Sequence, residues 1–536
     1  MEPCVYRKKW LDLRKGPCSA EAVSRLSRQV ALSFVDHYYQ NGRYEAEYIA
    51  LLCEMATAFS DMELNSAAAS ALFEIIVEKL CDDFEDMLVE VYNRVMCQVI
   101  SYCRTIPQGA DLDKKLTGFG LLAFEDLCHR ANLIQNHKYT YSVDKPPEKV
   151  ILLSRVTIGA DVAILSVMIQ RLMKIFPQAE FVIIGSAKLQ GLFGGNPQIR
   201  ICPLTYPRLG GLFERFSSWH GTLEILGREM SPDRDHDILL IDPDSRISQL
   251  GLLPLTHGEN YLFFNSRTPA SSSEGACMAE LANYWVDSVF GTTGFSHPRV
   301  WIPSPVRLKA QDLTASLRAA GCRRIITVNF GVGTNPRKRV GIEFEKRLLR
   351  EIIAHPETVV LLDRGFGGDE LAQSATLLSH IRNQGFATAE VRFEDSECVN
   401  MSHGIVGLAC TVGEIAAVIA ECNEFIGYDS ACQHIATAAG TPTLTIFAGS
   451  NNVNFVRRWS AHGDTPCTVV HVDTLSDPQN MDIDALILRI MEERIHLRST
   501  TTKPGAKRRE IRALAPAKKQ TKEIRQDAFF AEPEQS

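Results

Sequence analysis

The chain has 536 residues, of which 45% are apolar and 23% are charged, and its formal net charge is −7. This size and composition predict a soluble protein of roughly three domains. The negative charge and an isoelectric point near 6.1 exclude a surface built throughout to bind nucleic acid, so no nucleic-acid partner is expected.

Cysteine usage and hydropathy indicate the compartment. The fifteen cysteines include no C-x-x-C pair and no closely spaced Cys/His group, so we expect reduced, buried thiols and no metal site. The first residues lack the apolar core of a signal peptide, and no stretch of 18 uncharged apolar residues occurs. These patterns predict a cytoplasmic protein, either free or peripheral on the inner face of a membrane.

Residues 1–145 are predicted to form an all-helical accessory domain. Two consecutive segments, 65–84 and 85–104, carry apolar side chains at a spacing of four residues, which is typical of helices that face a core. A polar segment with two prolines, 144–148, is interpreted as the linker that ends this domain. The predicted core-facing residues are Leu72, Ile76, Leu80, Met87, Val91, Val95 and Val99.

A first α/β domain is predicted at residues 149–315. Apolar runs at 149–153, 181–185 and 237–242 alternate with a helical pattern at 162–176. Short, continuously apolar strands that alternate with helices indicate a parallel, doubly wound sheet.

Polar residues follow the strands of this domain. Asp161 comes after the first strand and its turn, and the run 242–246, with the sequence DPDSR, comes after the third. Ligands of such sheets bind at the carboxyl ends of the strands, so both places are expected at the functional rim. Asp161 is a candidate general base, although a helix N-cap is an equally common role for such a carboxylate.

A second α/β domain is predicted at residues 320–498. Its first strand, 325–330, is followed by a glycine-rich, basic loop, 331–339, which contains Thr334 and Lys338. Backbone N–H groups and cations in one loop suit a diphosphate, and the loop lacks the spacing of a Walker A motif. A solvated loop with surface charges is the alternative. Further predicted elements are a helix at 343–353, a strand at 358–362, a helix from about 369 and a helix at 412–421.

Residues 423–447 have the pattern of a strand, a helix and a second strand. Ser430 lies where the first strand gives way to the helix, so it can cap the helix N-terminus. That terminus carries unpaired N–H groups and favours an anion such as phosphate. Asp429 and His434 lie beside it in the sequence. The alternative is a capped helix with a purely structural histidine.

The segment from 499 to 536 is predicted to be a disordered basic tail. Between Lys503 and Arg525 it has nine basic residues and two acidic ones, and it lacks apolar periodicity. Such a tail can bind a polyanion or an anionic membrane surface, and a solubilising role is the alternative.

Together these segments resemble the heptosyltransferase-like glycosyltransferases of family 9, which have the GT-B fold of two facing Rossmann-like domains. Residues 429–436, DSACQHIA, are similar to the family signature Asp-Thr-Gly-x-x-His-x-Ala. The resemblance covers roughly residues 149–470 and reaches neither the helical domain nor the tail. The segments that carry it are 155–177, 336–339, 413–420, 429–436, 447–450 and 458–460.

The resemblance implies an inverting, metal-independent transfer of heptose or a related sugar from a nucleotide-diphosphate sugar. The donor would be an ADP-sugar, no cofactor would be needed, and the acceptor would be a glycan, lipopolysaccharide or protein hydroxyl. Asp161 would be the general base and Lys338 would stabilise the leaving diphosphate. The residues expected at the donor are Thr334, Asp429, Ser430, Ala431 and His434.

Three departures from the family pattern leave alternatives open. Ala160 is inserted between Gly159 and Asp161, Ala431 replaces the signature glycine, and residues 447–449 are Phe-Ala-Gly instead of Phe-Gly-Pro. One alternative is a catalytically inactive GT-B scaffold, and another is a nucleotide-sugar epimerase. Either Asp369 or Glu370 could supply the acidic contact to the donor sugar.

Overall fold

The computed structural model describes most of the chain and shows a helical region followed by two α/β units. The described residues are 2–501, without 83, 208–209, 231–236, 258–259, 268–275, 334 and 477–480. Among them, no helix combines the length and apolar character needed to cross a membrane. The predicted basic tail lies outside the described residues from 502 onward, and the last helix extends three residues into it.

The amino-terminal region is helical, as predicted, and its helices alternate with short turns. Ser19 caps the second helix by accepting a hydrogen bond from the Ala22 N–H at 3.2 Å. A π-helical turn, Leu72–Val77, joins the fourth and fifth helices. The helices are α1 (Pro3–Leu13), α2 (Ala20–Asn41), α3 (Ala46–Met55), α4 (Met62–Ala71), α5 (Glu78–Asp82), α6 (Asp86–Thr105), α7 (Ala110–Gly118) and α8 (Phe124–Asn136).

The predicted apolar stripes face the core with one exception. Six of their seven members are buried, but Met87 is 55% exposed, so its assignment to the core was wrong. Met87 lies in the first turn of α6, where the next residues, Leu88 and Val89, are buried in its place. The buried members are Leu72, Ile76, Leu80, Val91, Val95 and Val99.

The first α/β unit is built on a five-stranded parallel sheet with the order β3-β2-β1-β4-β5. Its strands are β1 (Lys149–Leu153), β2 (Glu180–Gly185), β3 (Ile199–Pro203), β4 (Ile238–Asp242) and β5 (Tyr261–Phe263). Its helices are α9 (Ile158–Ala160), α10 (Ser166–Ile175), α11 (Gln190–Phe193), α12 (Leu212–Glu229) and α13 (Met278–Phe290), and α14 (Ser304–Ala319) leads to the next unit.

The second unit has a seven-stranded parallel sheet with the order β12-β11-β10-β6-β7-β9-β8. Its strands are β6 (Arg324–Asn329), β7 (Thr358–Asp363), β8 (Thr388–Arg392), β9 (Gly404–Ala409), β10 (Glu424–Tyr428), β11 (Thr443–Phe447) and β12 (Cys467–His471). Its helices are α15 (Ile342–Ile353), α16 (Gly368–Asn383), α17 (Val412–Ala420), α18 (Ala431–Ala438), α19 (Val453–Trp459) and α20 (Ile483–Thr501). Two parallel sheets after a helical region confirm the predicted α/β fold class.

Two continuous cores join these parts. One core contains helical-region residues such as Phe34 and Met96 together with Ile151 and Leu240 of the first sheet. The helical region therefore packs directly on one face of this sheet. A second core contains residues of both α/β units, among them Leu152, Val162, Ile415 and Ile435. Helices from the two units thus bury apolar surface against each other, which positions the site described next.

Candidate active site

Asp161 is held firmly at the carboxyl end of β1. Its carboxylate accepts hydrogen bonds from the Ser154 hydroxyl and from the Arg155 backbone N–H, both at 2.7 Å. Val156, between strand and helix, has a φ of 64°, which is a strained conformation for a β-branched residue. Asp161 is only 1% exposed. The turn therefore stores strain while it fixes one carboxylate in place.

A π-helical turn, Asp161–Leu165, follows α9 directly. Such turns accommodate one extra residue within a helix and are frequent at functional sites. The insertion of Ala160 in the sequence coincides with this turn. The π-helical turn thus gives a physical account of how the longer segment continues into α10.

The carboxyl end of β4 lies beneath the helical region. Asp242 is fully buried and accepts hydrogen bonds from the Ser245 N–H at 2.7 Å and the Tyr261 hydroxyl at 3.0 Å. Burial raises the pKa of Asp242 to about 6. Asp244 accepts a hydrogen bond from Ser266 at 2.7 Å, and its carboxylate lies 3.8 Å from the Arg155 guanidinium.

Aromatic side chains of the helical region close over this end of the sheet. The guanidinium of Arg267 lies 4.9 Å from the Tyr92 ring centroid, and that of Arg215 lies 4.4 Å from the Phe73 ring centroid. Both arginines are buried. The run 242–246, predicted at the functional rim, is thus covered by protein where strand β4 ends.

The basic loop after β6 is held against the rest of the second unit. The Lys338 ammonium lies 2.5 Å from Asp429 Oδ2, and it also lies 5.4 Å from the Phe455 ring centroid. Gly449, with a φ of 76°, approaches so closely that a Cβ there would lie 2.4 Å from the Arg337 carbonyl oxygen. Thr334, predicted to bind the donor, lies outside the described residues.

Helix α18 begins as its sequence predicts. The Ser430 hydroxyl accepts a hydrogen bond from the Cys432 N–H at 3.3 Å, which caps the helix. The same hydroxyl lies 3.3 Å from Asn329 Oδ1, at the end of β6. Asp429 accepts a second hydrogen bond, from Gln433 Nε2, at 2.6 Å. Asp429 is therefore engaged by Lys338 and Gln433 together.

His434 is buried and uncharged at neutral pH. Burial lowers its pKa to about 4, against the smaller opposing effect of Asp429. Its ring meets that of Trp459 edge to face, with 6.1 Å between centroids. His434 can therefore orient a ligand as a neutral hydrogen-bonding group, and it contributes no positive charge.

The two α/β units meet at this point. A Cβ on Gly159 would lie 3.2 Å from Ala431 Cα and 3.1 Å from His434 Cδ2. Trp459 of the second unit lies 5.8 Å from the Arg155 guanidinium of the first, measured to its ring centroid. The structure thus brings together the turn that carries Asp161 and the N-terminus of α18, although their sequence positions are far apart.

A polar group at the ends of β6 and β7 was not predicted from the sequence. Asn329 Nδ2 donates to Asp363 Oδ2 at 2.6 Å, and burial raises the pKa of Asp363 to about 6. Glu370 accepts a hydrogen bond from the Phe366 N–H at 2.7 Å and lies beside Gly331, whereas Asp369 is exposed. A polar residue at the end of each parallel strand was the signal available in the sequence.

A cavity of about 410 Å³ lies on the outer side of the basic loop. Its lining comes from that loop, from the start of α15 and from α16, and it includes Pro336, Arg339, Ile342, Gln373 and Thr376. Its volume falls in the range of roughly 300–1,000 Å³ that is usual for small-ligand pockets. No residue of α18 is among those that line it.

Comparison with known proteins identifies part of this region. Residues 392–468 match the family model of glycosyltransferase family 9 (heptosyltransferase), a range that includes Asp429, Ser430, Ala431 and His434. The match does not reach Asp161 or Lys338. No curated protein matches the chain significantly.

Three solved structures are similar at low identity. A glycosyl transferase family 9 protein from Veillonella parvula is 14% identical, covers 66% of this chain and 97% of its own, and has a TM-score of 0.47. ADP-heptose lps heptosyltransferase II from E. coli is 13% identical over 65% of this chain and 99% of its own, with a TM-score of 0.43.

E. coli heptosyltransferase WaaC with ADP is 13% identical, covers 64% of this chain and 99% of its own, and also has a TM-score of 0.43. The family match, at residues 392–468, confirms the resemblance to the family 9 heptosyltransferases that the sequence predicts.

Proposed function

We propose that this protein is an inverting glycosyltransferase that moves heptose or a related sugar from a nucleotide-diphosphate sugar to an acceptor hydroxyl. The observation that carries the proposal is the contact between Gly159 and Ala431, which joins the turn of Asp161 to the N-terminus of α18. A carboxylate and a helix N-terminus at one place suit a base and a phosphate-binding element.

Asp161 is the proposed general base. It takes the proton of the acceptor hydroxyl while the acceptor oxygen bonds to the anomeric carbon and the bond from that carbon to the diphosphate oxygen breaks. The hydrogen bonds from Ser154 and the Arg155 N–H hold the carboxylate in one orientation. Because Asp161 is almost fully buried, acceptor binding requires a local opening at the Gly159–Ala431 contact.

Lys338 is the proposed partner of the leaving diphosphate. Its ammonium bonds to Asp429 in this arrangement and is partly exposed, so a diphosphate can compete for it. The N–H groups at the start of α18 supply further positive potential. Asp429, Ser430, Ala431 and His434 would then line the donor, together with Thr334.

The proposed donor is an ADP-sugar, since one of the similar structures is an ADP-heptose heptosyltransferase and another is a heptosyltransferase with ADP. The proposed acceptors are a glycan, a lipopolysaccharide or a protein hydroxyl. The helical region covers the carboxyl end of β4, so it would form one wall of the acceptor site. We also propose that the transfer needs no metal. The proposed domains are 1–145, 149–315 and 320–498.

A catalytically inactive scaffold is the second candidate. Two observations favour it: Lys338 is already paired with Asp429, and the methyl group of Ala431 stands where the family has glycine. A scaffold of this kind would keep the fold and bind partners without turning over a sugar nucleotide.

One experiment separates the two candidates. The purified full chain is incubated with ADP-, UDP-, GDP- and dTDP-sugars, and both binding and nucleotide release are measured. If the protein is a transferase, at least one sugar nucleotide should bind, and nucleotide release should depend on Asp161. Asp161→Asn tests this dependence, and Asp36→Asn, at an exposed position, is the control. Absence of binding and release across the panel would refute the transferase and leave the scaffold.

A further inference from the structure

A thiol, a carboxylate and an imidazole lie together at the boundary of the two α/β units. The ligand atoms of Cys277, Glu280 and His462 are all within 4.8 Å of one another. Cys277 and Glu280 belong to the first unit, whereas His462 lies in the second unit, between α19 and β12. The cluster therefore bridges the two units.

The start of α13 fixes two members of the cluster. Cys277 is the N-cap residue of this helix, and its backbone N–H donates to Glu280 Oε2 at 3.1 Å. This bond turns the Glu280 carboxylate back toward the helix start, beside the Cys277 side chain. The spacing C-x-x-E at a helix N-terminus thus places a sulfur and a carboxylate on the same side.

The surroundings orient the third member. The ring of His297 stacks on that of His462, with 5.1 Å between centroids and 21° between planes, and Asp464 lies 3.6 Å from His297 Nε2. Arg458 is buried and close enough to Cys277 for their charges to interact. Burial raises the pKa of the Cys277 thiol, so this thiol gives up its proton only when a cation binds.

We propose that Cys277, Glu280 and His462 bind a divalent transition metal, with zinc as the best fit, and that this metal links the two α/β units. Sulfur, imidazole nitrogen and carboxylate oxygen are the donor atoms that zinc takes in proteins. Three protein ligands leave one tetrahedral position for water. Cys277 binds as the thiolate, and its proton passes to solvent.

The geometry requires only small side-chain movements. Ligand atoms around a tetrahedral zinc lie about 3.5 Å apart, as follows from bond lengths of about 2.0–2.3 Å. Side-chain rotations that bring the three atoms closer by about 1 Å would complete the site. The site is independent of the proposed glycosyl transfer, and it contrasts with the prediction from sequence that no metal is bound.

Metal binding is tested with the full chain after chelator treatment and dialysis into metal-free buffer. Zinc is titrated in competition with a chromophoric chelator, and cobalt is added separately to look for a thiolate-to-cobalt absorption band. We expect one zinc per chain and a cobalt band that Cys277→Ser removes. Loss of a ligand should weaken zinc binding by at least about 10–100-fold, the size of effect known for supporting residues of metal sites.

Matched variants make the test specific. Glu280→Gln keeps the helix cap, because glutamine can make the same hydrogen bond at that position. His462→Asn alters a half-buried loop residue. Both variants therefore test the site even if Cys277→Ser fails to fold. Cys322→Ser removes a different buried thiol as a control. Zinc binding of equal affinity in the wild type, the control and the ligand variants would overturn the proposal, as would the absence of stoichiometric binding to the wild type.

Discussion

Gly159 of the first α/β unit and Ala431 of the second are in direct contact, so that a Cβ on Gly159 would lie 3.2 Å from Ala431 Cα. The backbone of Ala431 therefore lies next to a glycine across the boundary. Because glycine has no side chain, the starts of α9 and α18 can approach each other closely.

Replacing Gly159 tests this contact. Gly159→Ala adds a Cβ 3.1 Å from His434 Cδ2, so we expect a loss of about 1–3 kcal/mol in the free energy of unfolding, as for other overpacked sites. Gly227, in α12, has no atom within 4 Å of its added Cβ, and Gly227→Ala should gain up to about 1 kcal/mol. Urea unfolding measures both, and equal effects would contradict the close packing.

Gly449 should be needed to keep the basic loop in place. Gly449→Ala places a Cβ 2.4 Å from the Arg337 carbonyl oxygen, whereas Gly440→Ala, at a similar φ of 82°, meets nothing within 4 Å. Both variants suffer the left-handed strain of about 1–2 kcal/mol, and only Gly449→Ala should also weaken donor binding by displacing Lys338. Donor titration of the two variants checks this, and matching affinities would argue against the role of Gly449.

Lys338 should matter more for transfer than for folding. Lys338→Ala leaves the buried Asp429 carboxylate with its hydrogen bond from Gln433 but without its cation, so the free energy of unfolding should fall by about 1–3 kcal/mol. We expect kcat/KM to fall by about 10²–10³-fold, as when other charge-stabilising donors are lost. Arg337→Ala changes an exposed charge in the same loop and should leave kcat/KM nearly unchanged. Equal losses in both variants would indicate a general loop effect.

His434 should make the protein less stable in acid. Because burial lowers its pKa to about 4 from an unfolded value near 6.5, the unfolded chain binds the proton more readily. The contribution of His434 to the free energy of unfolding is thus fully present above about pH 6.5, and it is lost as the pH falls toward 4. His434→Gln should reduce this decrease, as followed by urea unfolding between pH 4.5 and 7. An unchanged pH profile would show that His434 titrates normally.

The sequence predicts the elements around the site better than the contacts that form it. Strand β1 and the capped start of α18 were predictable because continuous apolar runs and a serine cap are local signals. The short strand β5, of only three residues, carries no such signal. Met87 was misassigned because three apolar residues follow one another there, and periodicity did not show that Leu88 and Val89 are the buried ones.

Contacts between distant segments could not be predicted from the sequence. Gly159 and Ala431 meet only once both sheets have formed, and the same holds for Cys277 and His462. The cover of the β4 end by the helical region was also unforeseen, since the segment 144–148 was interpreted as a linker to a separate domain. Local patterns do not encode such packing between elements.

The most direct test of the proposed function is to compare donor binding with turnover in Asp161→Asn. We expect this variant to bind its sugar nucleotide within about threefold of the wild-type Kd, while kcat falls by about 10²–10⁴-fold through loss of the general base. Transfer by Asp161→Asn at the wild-type rate would contradict the assignment of Asp161 as the general base. A wild-type protein that neither binds nor turns over any sugar nucleotide would contradict the proposed glycosyltransferase function.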